Sequence, residues 1–218
     1  MLTKFFRQPG MRGAMNRMAN SSSDVAMTLG KLPVAGEAVP DFELPDSMAV
    51  PRRLSALVTP DSLVLVFYRG SWLPFCLRQL ADYREHYEEI RAAGATLAGI
   101  SVDPPEASEA LRRQLCLPFT ILCDTERRIV QDWDVYNRRE KGGIAKPAVF
   151  IIGSDLTVRY VSVDTVSMRV PASETLRILR STGPVRPARR RLYIPTPAGF
   201  LRGIRNLIRF SPYSRRKH

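Results

Sequence analysis

The run from Leu63 to Leu80, LVLVFYRGSWLPFCLRQL, limits the possible folds more than any other stretch of the 218 residues. Leu63 to Phe67 are consecutive β-favouring apolar residues without polar alternation, the pattern of a strand buried on both faces. Gly70 and Pro74 break the run. From Leu77 the apolar residues Leu77, Leu80, Tyr83, Tyr87 and Ile90 recur at helical spacing, with Arg78, Asp82, Arg84, Glu85, Glu88 and Glu89 between them as a charged outer face. Cys76 therefore falls in the first turn of a helix that follows a buried strand.

The first turn of a helix has backbone N–H groups without intrahelical partners and carries the positive end of the helix dipole, and both favour a thiolate over a thiol. Cys76 is thus the candidate nucleophile, set against the plainer reading of a small buried hydrophobe. Trp72 and Arg69 flank it. As functional residues they give a pocket wall and a cation near the sulfur; as structural ones they are a packing residue and a solvated turn charge, and for Arg69 the solvated charge is favoured.

Upstream, VPDFEL reads as a short edge strand and Arg53 to Leu57 leads to the buried strand. Gly94 stops the Cys76 helix, and Leu97 to Val102 is a second buried strand. Asp103, before Pro104 and Pro105, is placed to cap a helix through Ala110, Leu111 and Leu115. Phe119 to Leu122 is a strand, and Asp124 opens a helix through Ile129, Val130 and Trp133, with Trp133 in the core. Residues 137 to 146 are a loop by composition. Ala148 to Ile152 and Thr157 to Val163 flank GSDL as an antiparallel hairpin, and a helix from Pro171 to Ser181 closes the set. Alternating elements of this kind make an α/β sheet covered by helices on both faces.

The stretch FYRGSWLPFC resembles the signature FYRGxWCPFC of peroxiredoxin-like proteins in the alkyl hydroperoxide reductase and thiol-specific antioxidant (AhpC/TSA, redoxin) family. VPDFELPD, LAGISVDPPEAS, LPFTILCD and PAVFIIGSDLTVRY follow in the family's order. The resemblance covers residues 29–181 and implies a thioredoxin-like fold with Cys76 as the catalytic thiol. It also marks departures. Leu73 stands where close relatives have the first cysteine of C-x-x-C. Relative to the P-x-x-x-T/S-x-x-C motif of true peroxiredoxins, Arg69 and Leu73 replace the proline and the hydroxyl residue. The family's catalytic arginine precedes the F-I-I-D strand, where this chain has Pro147, which resembles the proline facing the thioredoxin active site, with Lys146 before it.

Cys116 and Cys123 are the other two cysteines; either is a candidate to resolve an oxidised Cys76, against the default of inert buried thiols. Two histidines, His86 and His218, cannot complete a metal site with these cysteines, so no metal and no cofactor are expected. Of the net charge of +12, residues 1–23 contribute +4 and residues 180–218 contribute +11, which leaves −3 for the globular middle. Residues 1–28 read as a basic, disordered extension without an assigned function. They have no long apolar core of the secretory kind, and the chain has no run of about 18 apolar residues, so the expected location is the cytoplasm, with a peripheral position at the membrane as the alternative.

Residues 182–218 read as a basic, proline-containing tail with an amphipathic helix. Phe200, Leu201, Ile204, Leu207 and Ile208 share one face of that helix, and Arg202, Arg205 and Arg209 another. Such a helix suits an anionic membrane surface or an acidic partner, or docks its apolar face on its own domain; nucleic acid is the weaker option because an apolar stripe neutralises no phosphate. The function expected is a thiol oxidoreductase that reduces a hydroperoxide through Cys76 and is recycled by thioredoxin or a small thiol. The alternatives are a redoxin fold that has lost its chemistry and serves as a binding module, and a thiol–disulfide exchanger, disfavoured for lack of a cysteine at Leu73.

Overall fold

The computed structural model describes residues 30–181 and 187–210. The run that dominates the sequence forms the central strand, β3 (Ser62–Phe67), after a β1 (Glu43–Pro45) and β2 (Pro51–Arg53) ribbon and a single helical turn, α1 (Leu54–Leu57). The chain continues through α2 (Pro74–Glu85), α3 (Tyr87–Ala92), β4 (Ala95–Ser101), α4 (Pro105–Gln114), β5 (Thr120–Cys123) and α5 (Arg128–Asp132). A small β6 (Tyr136–Asn137) and β7 (Ile144–Ala145) pair precedes the hairpin of β8 (Ala148–Gly153) and β9 (Val158–Val163). The last elements are β10 (Met168–Arg169), α6 (Ala172–Leu179), β11 (Arg191–Leu192) and α7 (Pro197–Phe210).

The main sheet runs β5-β4-β3-β8-β9, with β3, β4 and β5 parallel and β8 and β9 antiparallel to their neighbours. Every residue of β3 is buried. Its side chains alternate between two cores, as the pleat requires: Val64 and Val66 enter one with Cys76, Leu77, Leu80 and Leu176, while Leu63, Leu65 and Phe67 enter the other with Leu54, Ile129, Val130 and Trp133. Trp133 packs edge-on against Phe150, ring centres 4.9 Å apart, in the core as expected.

Several local expectations are corrected. Only Glu43–Pro45 of the VPDFEL region is strand, and the helix after Leu77 is interrupted at His86, whose ring Nδ1 lies 2.9 Å from the Asp82 carbonyl oxygen. Asp103 does not cap α4; its carboxylate accepts the Ser71 N–H at 2.6 Å instead. Asp124 lies outside α5 but accepts the N–H groups of Arg128 and Val130, both at 2.9 Å, so the carboxylate serves the helix across a left-handed Arg127 with φ of 62°. The loop of residues 137–146 holds part of the β6–β7 pair. The N-terminal extension of residues 1–28 lies outside the described residues.

The proline-containing tail is not a free linker. β11 pairs with β10, Arg190 donates to Asp164 at 3.1 Å, and buried Tyr193 donates its O–H to Asp82 at 2.6 Å. Asp82 was expected on the charged outer face of α2, yet the tail and α6 cover its carboxylate and leave Asp82 7% exposed. The same carboxylate accepts the N–H of Ala172, the first residue of α6, at 2.9 Å, a good setting for an acid because a helix N-terminus is electropositive. Asp82→Ala should therefore leave a buried phenol and a buried amide without their acceptor, at about 1.5–3 kcal/mol each. The expected outcome is a melting temperature lower by roughly 10 °C, with a smaller loss for Asp82→Asn, which keeps one acceptor oxygen. Thermal unfolding followed by circular dichroism measures it.

Candidate active site

The turn after β3 carries Tyr68, Arg69 and Gly70, and α2 opens at Pro74, with extended Leu73 as the residue before it. Proline suits the first helical position because its missing N–H has no partner there to lose. Cys76 follows in the first turn, fully buried. Two donors converge on its sulfur. The backbone N–H of Arg69 and Nη1 of Arg169 each lie 3.4 Å from Sγ.

Arg169 reaches the sulfur from β10, across 93 residues of sequence. It is fully buried. Its Nε and Nη2 donate to the Val166 carbonyl at 3.0 and 2.8 Å, and Nη1 also donates to Gln79 Oε1 at 2.7 Å. Asp164 fixes the segment, since its Oδ2 accepts the Val170 N–H at 2.9 Å while Oδ1 accepts the Ser162 hydroxyl. All of these guanidinium partners are neutral except Cys76, which alone among them can carry a negative charge. A buried charge is costly unless paired, and these contacts hold the guanidinium against the sulfur. Beside them, one helical turn after Cys76, buried Gln79 Nε2 is a donor with no partner among the described residues.

Neither Arg169 nor Gln79 is identified by the sequence reading. The signal for Gln79 is its position three residues after Cys76, on the same side of the helix. For Arg169 it is an arginine at the inward position of MRV, between exposed Met168 and buried Val170.

The residues singled out beforehand are distributed unevenly. Arg69 is not a solvated turn charge: it is 5% exposed, paired with Glu140, and it is its main chain that meets the sulfur. The reason is the β6–β7 segment, which folds over the turn and brings Glu140 with it. Leu73 is half-buried against the Cys76 core and offers no side-chain hydrogen bond at the helix start. Pro147 is buried just before β8, where its carbonyl accepts the Asp164 N–H at 2.8 Å, and Lys146 Nζ donates to the Asp134 carbonyl at 3.0 Å.

Trp72 is half-buried, with Lys141 Nζ 3.7 Å above its ring centre. It lines a cavity of about 270 Å³ with Asp103, Arg127, Lys141, Arg209 and Phe210, and Cys76 is not among the walls. Burial raises the Asp103 carboxyl above its ordinary range and lowers Lys141.

The three cysteines are all free thiols. Cys116 is exposed after α4, in a left-handed conformation with φ of 50°, which corrects the expectation of a buried thiol there. Cys123 is buried at the end of β5, where burial pushes its thiol up to about 11. Among the described residues no cluster of His, Cys, Asp and Glu is placed to hold a metal, and no helix is long and apolar enough to cross a membrane.

The C-terminal helix adjoins this site. Gly203 lies so close to the turn that a Cβ would come 2.6 Å from the Trp72 carbonyl oxygen and 2.9 Å from Pro74, so a side chain is excluded by close approach. Asn206 Nδ2 donates to the Ser71 carbonyl at 2.9 Å and to Gln114 Oε1 at 3.1 Å. The helix thus docks through Gly203 and Asn206. Its apolar side does not make the contact; Phe200, Leu201, Ile204 and Ile208 are exposed and Leu207 is half-buried.

A thioredoxin-like α/β sheet that ends its central strand in a turn and presents a thiol from the first turn of the next helix defines the redoxin class. The AhpC/TSA family model matches residues 35–161, more than half of the chain. The chain belongs to this family. It is similar to the chloroplastic peroxiredoxin Q of Populus jackii, 35% identical over 161 residues that span 74% of this chain and 75% of that protein. With the Arabidopsis thaliana chloroplastic peroxiredoxin Q it shares 28% over 146 residues, 67% of each. Among solved structures, the peroxidoxin BcpB of Mycobacterium tuberculosis superposes with a TM-score of 0.63 at 25% identity, covering 70% of this chain and 99% of that one.

Proposed function

We propose that this peroxiredoxin-like protein reduces a hydroperoxide with Cys76 as the attacking thiol and Arg169 as the cation that stabilises it. The observation that carries the proposal is the buried guanidinium 3.4 Å from the sulfur. The position that the family resemblance reserves for an arginine holds Pro147, and Arg169 supplies the charge from β10 instead. That substitution of source is why the reading as an inactive binding module is set aside.

In the reaction the Cys76 thiolate attacks one peroxide oxygen, an S–O bond forms, the O–O bond breaks, and the alkoxide leaves and takes a proton. Arg169 and the Arg69 N–H hold the sulfur, and the free Gln79 Nε2 is a donor for a peroxide oxygen or for the alkoxide. Cys76 becomes a sulfenic acid. One external thiol condenses with it to a mixed disulfide and water, and a second thiol releases Cys76 and leaves as the disulfide. External thiols, thioredoxin or a small one, fit better than Cys123, whose raised thiol is almost wholly protonated at neutral pH. No cofactor enters this balance.

Peroxide consumption by the full chain with thioredoxin or dithiothreitol as donor tests the proposal. The expected result is turnover that needs both the protein and the thiol. Consumption no faster than the thiol alone would refute it.

Leu73→Thr should raise the rate by a factor of roughly 5, the worth of one added hydrogen bond of about 1 kcal/mol, because it places a hydroxyl at the residue before α2, three positions from Cys76. An unchanged or lower rate would show that Arg169, the Arg69 amide and Gln79 already meet the need.

A further inference from the structure

The C-terminal helix holds its apolar side away from the protein. Phe200, Leu201, Ile204 and Ile208 are 56, 68, 42 and 72% exposed although α7 lies directly against the turn before α2. At about 100° per residue the helix has three faces. Gly203 and Asn206 belong to the docked one, the four apolar residues to the second with Leu207 at its border, and Arg202, Arg205 and Arg209 to the third. Docking by a glycine and an amide, rather than by the larger apolar residues available, leaves those residues unused by the fold. The apolar side also continues beyond the helix, through a groove lined by Phe75, Pro195, Pro197, Phe200 and Leu201 and past exposed Ile194.

We propose that α7 is an interfacial helix that seats the protein on an anionic lipid bilayer, with Phe200, Leu201, Ile204 and Ile208 in the boundary between headgroups and acyl chains and the arginines against lipid phosphates. Charge selects this occupant. From Arg180 to His218 the chain has eleven basic residues and no acidic one. A second copy docked through the same side would bring Arg202 and Arg205 toward their own counterparts without an intervening carboxylate from either helix. An anionic bilayer supplies both the apolar phase and the counter-charge. Seated this way, the protein turns Phe75, the residue before Cys76, toward the lipid. The inference does not depend on the chemistry at Cys76.

Co-sedimentation of the full chain with two kinds of vesicle tests it: phosphatidylcholine alone, and phosphatidylcholine with phosphatidylglycerol in equal parts. The expected result is binding to the anionic vesicles that weakens as salt rises, since screening sets in over about 10 Å at 0.1 M. Arg202→Gln and Arg205→Gln should each weaken it by roughly fivefold, the equivalent of about 1 kcal/mol per basic residue. Ile204→Asp combined with Ile208→Asp should abolish binding even at low salt and leave the melting temperature unchanged, because both side chains are exposed. Absence of binding to anionic vesicles at low salt overturns the proposal, as does undiminished binding by the isoleucine variant. A concentration-dependent dimer that the same variant dissolves also overturns it, by giving the apolar side to a second copy.

Discussion

Arg169→Met is expected to lower the rate of peroxide reduction roughly 100- to 1,000-fold, the usual cost of removing one preorganised electrostatic donor from a reaction centre. The guanidinium is fully buried and 3.4 Å from Cys76 Sγ, so its loss takes away the one cation among the described residues in hydrogen-bonding contact with the sulfur. Folding should be far less affected. Methionine leaves the Val166 carbonyl and Gln79 Oε1 without donors, at about 1–3 kcal/mol each, but it also removes the several kcal/mol penalty of burying a charge. The two terms oppose each other. A rate measurement paired with a thermal melt separates the roles: a large fall in rate with a small change in melting temperature assigns Arg169 to the chemistry. The rate of Cys76 alkylation by iodoacetamide should fall with it, because the thiolate is the attacking form. Arg169→Lys should recover part of both rates, since it keeps the charge but not the fork that holds Val166 and Gln79 as well. A variant that unfolds, or one that keeps full activity, would contradict the assignment.

Cys76→Ser is expected to abolish thiol-dependent peroxide consumption, leaving only the background of the donor thiol. The substitution is nearly isosteric, and the serine oxygen can accept from the Arg69 N–H and from Arg169 as the sulfur does. Folding should therefore survive. Cys116→Ser and Cys123→Ser should each retain turnover if the resolving thiol comes from outside, since Cys116 is exposed beyond α4 and Cys123 is held protonated by burial. Steady-state consumption by the three single variants decides it, and loss of turnover in Cys123→Ser would instead return that residue to the cycle.

What the sequence revealed follows from how local each feature is. β3 and the helix after it were legible because one apolar run and one helical period lie in adjacent residues, and the turn types around Gly70 and Pro74 separate them. The β8–β9 hairpin was legible for the same reason. The electrostatics of the site were not. Arg169 meets Cys76 through contacts made 93 residues apart, and periodicity reports apolar faces rather than which polar residues a later segment will cover. Asp82 shows the same failure: helical spacing put it on the outside, and the later arrival of α6 and Tyr193 made it interior. In α7 the apolar and basic positions were read in register, but the docked side was not, because a small residue such as Gly203 marks close approach only once its neighbour is known.

The most direct test of the account is to treat the reduced full-length chain with one equivalent of hydrogen peroxide, trap sulfenic acid with dimedone, and locate the adduct by mass spectrometry. The first adduct is expected on Cys76, although Cys76 is fully buried and Cys116 is exposed, because the Arg69 amide and the Arg169 guanidinium converge on that sulfur in the first turn of α2. An adduct that appears first on Cys116, or on none of the three cysteines, would contradict it.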